Sequence, residues 1–230
     1  MLEAMRILFI RHGQTPANVA GILATDHPGP GLTELGEQQA AALPNALAPE
    51  RVHGIYVSTL VRTHATAAPL AAARRLDPVI EDGLHEIEAG ELEGRRDREA
   101  VMQYFGTLNQ WGLGNLGAAM PGAGDGFAFF DRYNRSLDRI IERHPEPDAT
   151  VAVVSHGAAI RVWCGGSALN VDPDFAVRND LENTGVVVVE GSRRDGFVVE
   201  SWMNRPIGGR RLADPAAADP TGESFDLAEG

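Results

Sequence analysis

Thr150-Val151-Ala152-Val153-Val154-Ser155-His156-Gly157 is the stretch that decides the fold. An apolar run from Thr150 to Val154 stops abruptly at a serine, a histidine and a glycine. A short unbroken apolar run of this kind reads as a strand covered on both faces, because a strand with one wet face would alternate. Arg6 to Ile10 repeats the pattern near the start of the chain and stops at Arg11-His12-Gly13. Gly54 to Val57 and Pro78 to Ile80 read as two further strands. Helical patterns lie between them. Thr33 is an N-cap with acids in the first turn behind it, followed by Leu35, Ala42, Leu43 and Leu47 at helical spacing. Thr59 to Arg75 is a second helix with Pro69 as a break or kink. Phe127 to His144, closed by Pro145 and Pro147, is a third, and His156 to Leu169 a fourth. Val186 to Glu190 and Phe197 to Trp202 flank an Arg193-Arg194-Asp195-Gly196 turn and read as a hairpin. Strands alternating with helices predict an α/β fold, a three-layer α/β/α arrangement around a mostly parallel sheet.

Three segments break this alternation. Residues 14–32 read as loop. Residues 83–126 are rich in glycine, with Phe105, Trp111, Leu113 and Leu116 between the glycines, and read as an irregular centre carrying a functional lid at about 95–126. From 206 onward Pro, Ala, Gly and Asp dominate, so a single domain over 1–205 is expected, with 206–230 as an extended or disordered tail.

The chain has 230 residues and a formal net charge of -12. That charge disfavours nucleic acid and anionic membrane as partners. No apolar run approaches a membrane span. The first residues lack a basic segment followed by a long apolar one, so a cytoplasmic location is expected. All 20 basic residues are arginines. Guanidinium matches phosphate oxygens with paired hydrogen bonds, which ammonium cannot do. The single cysteine, Cys164, lies in an apolar helical run and reads as a packing residue. No Cys/His cluster has zinc-ligand spacing, so no metal and no cofactor is expected.

Ligands of open α/β sheets bind beyond the carboxyl ends of the strands. His12 and His156 both fall there, each followed by a glycine, Gly13 and Gly157, that lets backbone N–H groups approach a ligand. Arg11 precedes His12, Arg62 starts the second helix, and Glu86 follows the third strand. A phosphate monoester needs fixed cations on its free oxygens, an in-line nucleophile, and an acid for the leaving oxygen. Arginines, imidazole and carboxyl supply these in turn. Nearby guanidinium charge keeps His12 neutral and able to attack, in a polar pocket expected at the surface.

These residues resemble the histidine phosphatase superfamily, with its phosphoglycerate mutase-like fold. Ile10-Arg11-His12-Gly13-Gln14-Thr15 is similar to its signature. Leu32 to Ala40, Ser58 to Thr63, Leu84-His85-Glu86 with Glu93-Gly94, and Val153 to Gly157 resemble its later motifs in order. The resemblance implies a phosphorylated His12, a phosphate pocket of Arg11, Arg62, His156 and Asn18, Glu86 as proton donor, and Gln14 and Thr15 at the entrance. Two departures stand out: Ala65 in place of a glutamine, and Gly122-Ala123-Gly124-Asp125 in place of a Gly-Gly-Glu-Ser stretch.

The expected activity is a hydrolase acting on phosphate monoesters of small molecules without metal. A cofactor-dependent mutase and a non-catalytic phosphate-binding module are the alternatives. The missing tryptophan near Asn18 and the sparse arginines of 97–126 disfavour the mutase. Glu88, Glu91 and Glu93 are rivals of Glu86. His64, His85 and His144 read as surface residues. Phe105, Trp111, Phe127, Phe129 and Phe130 form either a substrate-facing wall or lid-to-core packing. Members of the resembled family often pair, so the resemblance allows a homodimer.

Overall fold

The computed structural model describes residues 4–172 and 174–222. Its frame is a six-stranded sheet in the order β3-β2-β4-β1-β5-β6. The strands are β1 Met5–Arg11, β2 Val52–Val57, β3 Val79–Ile80, β4 Thr150–Ser155, β5 Val186–Ser192 and β6 Gly196–Met203. β1 through β4 run parallel, while β5 pairs antiparallel with β1 and forms a hairpin with β6. At the centre, β1 and β4 pair from Arg6↔Thr150 to Arg11↔Ser155. That register sets Arg11-His12 beside Ser155-His156 at one carboxyl edge.

Side chains alternate across each strand, so the apolar runs feed two cores. Ile7, Phe9, Val151 and Val153 face one side with Tyr104, Tyr133 and Trp163; Leu8, Ile10, Ala152 and Val154 face the other with Leu43, Ala67 and Leu70. The first core is roofed by α4 (Arg98–Gly112), α5 (Gly126–Glu142) and α6 (Gly157–Ser167), the second by α2 (Glu34–Ala46) and α3 (Val61–Arg74). A fully buried side chain such as Phe9 contributes about 1.5–3 kcal/mol, which is why both faces must be covered. Among the described residues no helix is long and apolar enough to cross a membrane.

Two of the three irregular segments contain helix. Thr15 caps a short helix, α1 (Pro16–Ala20), within 14–32. The expected lid contains α4. Asp97 caps it by accepting from Ala100 N, and Ala100, Tyr104, Phe105, Leu108 and Trp111 form its buried stripe. Glycine composition misleads here: a helical glycine costs about 1 kcal/mol, and burying four large side chains outweighs that. Gly106 has open space beside it, so it interrupts no packing. Trp111 stacks on Phe129 in the first core, so the aromatic segment packs lid to core, although Phe127 is exposed.

The C-terminal segment also differs from expectation. Residues 206–222 hold little regular structure beyond a 3-10 turn at Arg210–Leu212, yet they dock on the domain. Leu212 is buried and its carbonyl accepts from Gln39 Nε2 at 2.7 Å. Ile207 N donates to Thr184 O, and Asp219 and Thr221 are buried. The segment has few large apolar side chains, and hydrogen bonds to buried polar groups hold it. The rest of the expected tail, 223–230, lies outside the described residues. A last short helix, α7 (Phe175–Arg178), precedes β5.

Candidate active site

The parallel edge gathers Arg11, His12, Arg62, Glu86 and His156, and all five are buried. His12 is 2 % exposed, so the pocket is deeper than the surface position expected. The His12 and His156 rings lie 5.2 Å apart between centroids. His12 Nδ1 is 2.8 Å from Gly13 O. A carbonyl only accepts, so Nδ1 carries the proton and Nε2 keeps its lone pair. Burial, then the charges of Arg62 and Arg11, hold the His12 pKa well below its ordinary value.

His156 is fixed in the other tautomer. Arg62 Nε donates to its Nδ1 at 3.3 Å, and its Nε2 donates to Ser58 Oγ at 2.7 Å. Ser58 Oγ also accepts from Leu60 N at 3.2 Å. Burial and the Arg62 charge likewise lower the His156 pKa. Burial brings Arg62 down to about 10, which leaves it protonated at neutral pH. Among the described residues, Arg11 Nε and Arg62 Nη1 are buried without a hydrogen-bond partner.

Glu86 lies against the first turn of α6. One carboxyl oxygen accepts from Ile87 N at 2.9 Å and Ala159 N at 2.8 Å, the other from Ala158 N at 3.2 Å. These donors favour the carboxylate, but burial outweighs them and raises its pKa. Of its three rivals, Glu91 is exposed and the other two are engaged elsewhere. Glu88 bonds His85 at 2.6 Å, and that contact with the Arg132 charge holds it down to about 2 despite partial burial. Glu93 accepts from Thr25 N and Oγ1.

The remaining predicted residues, Gly13, Gln14, Thr15, Asn18 and Gly157, are buried. Gly13 packs backbone to backbone on α2: a Cβ there would sit 2.7 Å from Gly36 O, and one on Gly36 would collide with Gln14 O. Gln14 donates to Asp214 at 2.9 Å and accepts from Thr33 Oγ1 at 2.8 Å. Thr15 caps α1, and its backbone N donates to Asn18 Oδ1 at 2.9 Å. Asn18 Nδ2 donates to Asp219 at 3.0 Å. A Cβ on Gly157 would lie 2.9 Å from Arg11 Nε and collide with Thr221 O.

Several neighbours escaped the sequence reading. Ser58 sets the His156 tautomer, Asn183 donates to His12 O at 3.1 Å, and Arg161 is buried on α6. A charge inside Ile160-Arg161-Val162 was the one local signal. His64, His85 and His144 are half-buried rather than at the surface; His64 contacts Ser58 O at 2.7 Å and His144 contacts Tyr56 at 2.9 Å. Cys164 is buried and its thiol pKa is pushed up, in keeping with a packing role. Among the described residues no group of His, Cys, Asp and Glu could hold a metal ion.

The model of the histidine phosphatase superfamily (branch 1) matches residues 7–205. The chain belongs to that superfamily. Phosphatases stand among its relatives. A metal-independent phosphoserine phosphatase of Arabidopsis thaliana is 31% identical, over 88% of this chain and 82% of that protein. A PE-PGRS family protein of Mycobacterium tuberculosis, PE_PGRS11, is 36% identical over 90% of this chain, but the chain spans 38% of its length. A mycobacterial glucosyl-3-phosphoglycerate phosphatase has the same fold, with a TM-score of 0.73 at 21% identity, over 88% of this chain and all of that one (100%). Entamoeba histolytica phosphoserine phosphatase, solved with 3-phosphoglyceric acid, gives 0.69 at 25% identity, over 88% of this chain and 98% of that one.

Proposed function

We propose that the protein hydrolyses phosphate monoesters of small molecules through a phosphohistidine on His12, without a metal ion. One observation carries the reading. Two buried guanidinium N–H groups, Arg11 Nε and Arg62 Nη1, have no acceptor among the described residues, beside an imidazole whose Nε2 lone pair is kept available. An unpaired buried donor costs about 1–3 kcal/mol, and a phosphate oxygen would satisfy each one. The arginines supply the fixed positive charge that a metal supplies elsewhere.

In the first step His12 Nε2 attacks phosphorus. The bond to the ester oxygen breaks, and that oxygen takes the proton from Glu86. Glu86 Oε2 is suited to carry the proton, since it accepts one 3.2 Å bond while Oε1 accepts two shorter ones. In the second step water attacks the phosphohistidine, gives its proton to the Glu86 carboxylate, and phosphate leaves. Burial of the site supports a small substrate, and the phosphoserine phosphatases among the relatives make phosphoserine the first metabolite to assay.

The test is hydrolysis of p-nitrophenyl phosphate with EDTA present, for wild type and His12→Ala, with acid-quench trapping of the phosphoenzyme. Turnover that survives EDTA and disappears with the phosphoenzyme in His12→Ala is the expected result. Turnover lost to EDTA and restored by a divalent cation would refute the metal-free reading, and full activity in His12→Ala would refute the nucleophile.

A further inference from the structure

Arg11 is fully buried, and the C-terminal segment holds its guanidinium. Nη1 donates to Leu181 O at 2.8 Å. Nη2 donates to Thr221 Oγ1 at 3.1 Å and pairs with an Asp219 carboxylate oxygen at 2.5 Å. The other Asp219 oxygen accepts from Asn18 Nδ2 at 3.0 Å, and Asn18 Oδ1 is tied to Thr15 N at 2.9 Å. The expected phosphate ligand Asn18 thus contacts the carboxylate that contacts Arg11. With both terminal nitrogens engaged, the guanidinium cannot rotate, and Nε is left over Gly157 at the start of α6.

The segment that brings Asp219 is itself anchored. Leu181 N donates to Gly222 O at 2.8 Å, Gln14 holds Asp214, and Arg161 Nη1 reaches Thr221 O at 3.4 Å. All of it lies beyond residue 205, where the superfamily match ends.

We infer that Asp219 is a positioning residue for the phosphate site: it orients Arg11 so that Nε meets the substrate phosphate, which makes residues 206–222 a built-in wall of the active site. The inference rests on the proposed role of Arg11 as a phosphate ligand. The physical reason is that the one N–H left for phosphate, at Nε, makes a directional hydrogen bond, so its energy depends on angle as well as distance. A free arginine side chain would have to be ordered on each binding event. Here Asp219, Thr221 and Leu181 order it beforehand, and the carboxylate also offsets the mutual repulsion of the buried Arg11, Arg62 and Arg161. A carboxylate beside a dianionic substrate repels it as well, so the opposite outcome is physically defined: a competitor would weaken binding, and its removal would tighten it.

The experiment measures binding of inorganic phosphate to the full chain by calorimetry, with p-nitrophenyl phosphate kinetics in parallel. The variants are Asp219→Ala, the isosteric Asp219→Asn, Thr221→Val, Arg11→Met and the Arg11→Met/Asp219→Ala pair. Asp219→Ala is expected to weaken phosphate binding and raise KM by roughly tenfold or more, the scale of a misplaced binding group. Thr221→Val should move both in the same direction by less, and Asp219→Ala should add nothing in the Arg11→Met background. A merely structural role would lower thermal stability and subtract equally in both backgrounds, which would overturn the inference. Unchanged or tighter phosphate binding in Asp219→Ala and Asp219→Asn would overturn it too. If wild type binds phosphate but hydrolyses no ester, the phosphatase mechanism fails while this test stands. If wild type turns over and the Asp219 variants bind as it does, this inference alone fails.

Discussion

Glu86→Gln separates a proton donor from a structural carboxylate. Glutamine is isosteric, and with its Oε1 toward Ile87 N and Ala159 N it keeps the bonds of 2.9 and 2.8 Å. Its amide nitrogen then faces Ala158 N, which now donates to the carboxylate at 3.2 Å. One donor loses its acceptor, a cost of about 1–3 kcal/mol, offset in part because an ionisable group whose pKa burial had raised is gone. The protein should therefore fold. General acid catalysis contributes about 10²–10⁴-fold, but only where the leaving oxygen needs a proton. Steady-state kcat/KM for phosphoserine, an alkyl ester, should fall by roughly that factor. p-Nitrophenyl phosphate, whose phenolate leaves unaided, should lose far less. Equal losses on the two substrates would refute the assignment and leave Glu86 as a cap on α6.

Three further outcomes follow from the packing and the charges. Lowered pKa values at His12 and His156 mean that the unfolded chain binds protons below pH about 6.5 while the native state resists them. Stability is thus intact above that pH and lost as pH falls, by up to about 1.4 kcal/mol per pH unit per histidine; the raised Glu86 pKa acts in the opposite sense for one group. Urea unfolding at pH 7.5 and 5.5 tests this, and a flat profile would show that the imidazoles titrate normally. Gly36→Ala would drive a methyl into Gln14 O, so it should cost about 1–3 kcal/mol and lower kcat by moving the His12 loop; wild-type kinetics would count against that packing. Trp111→Ala, in the first core, should cost about 3–5 kcal/mol in thermal or denaturant unfolding yet leave phosphate affinity in place. A loss of affinity with little loss of stability would mean that the indole contacts substrate.

The strands and the site edge were legible because their signals are local. Arg6 to Ile10 and Thr150 to Val154 are apolar without alternation, which a strand covered on both faces requires. Ligands bind where such runs end, so the order of residues along the chain is enough to put His12 and His156 at one edge. Helix α4 was not legible in the same way: Gly106, Gly112 and Gly114 argue for loop, and only the covering sheet reveals that Tyr104, Phe105, Leu108 and Trp111 share one buried stripe. The C-terminal segment departs from expectation for a related reason. Composition predicts whether a segment can build its own core, and residues 206–222 build none; hydrogen bonds to groups already buried hold them, with Ile207 packing against the second core.

By itself, then, the sequence determined the α/β class, the two histidine-bearing strand ends and the arginine chemistry, since each depends on neighbours within a few residues. Tertiary structure alone decided which tautomer each imidazole holds, since Gly13 O, Ser58 and Arg62 set them. It also decided the state of Glu86, where burial competes with three backbone donors. The same holds for the partner of Arg11, which is 208 residues away in the chain (219 − 11) and reaches it through a salt bridge. Charges and lone pairs respond to what surrounds them in space, and no pattern along the chain encodes a contact between residues so far apart.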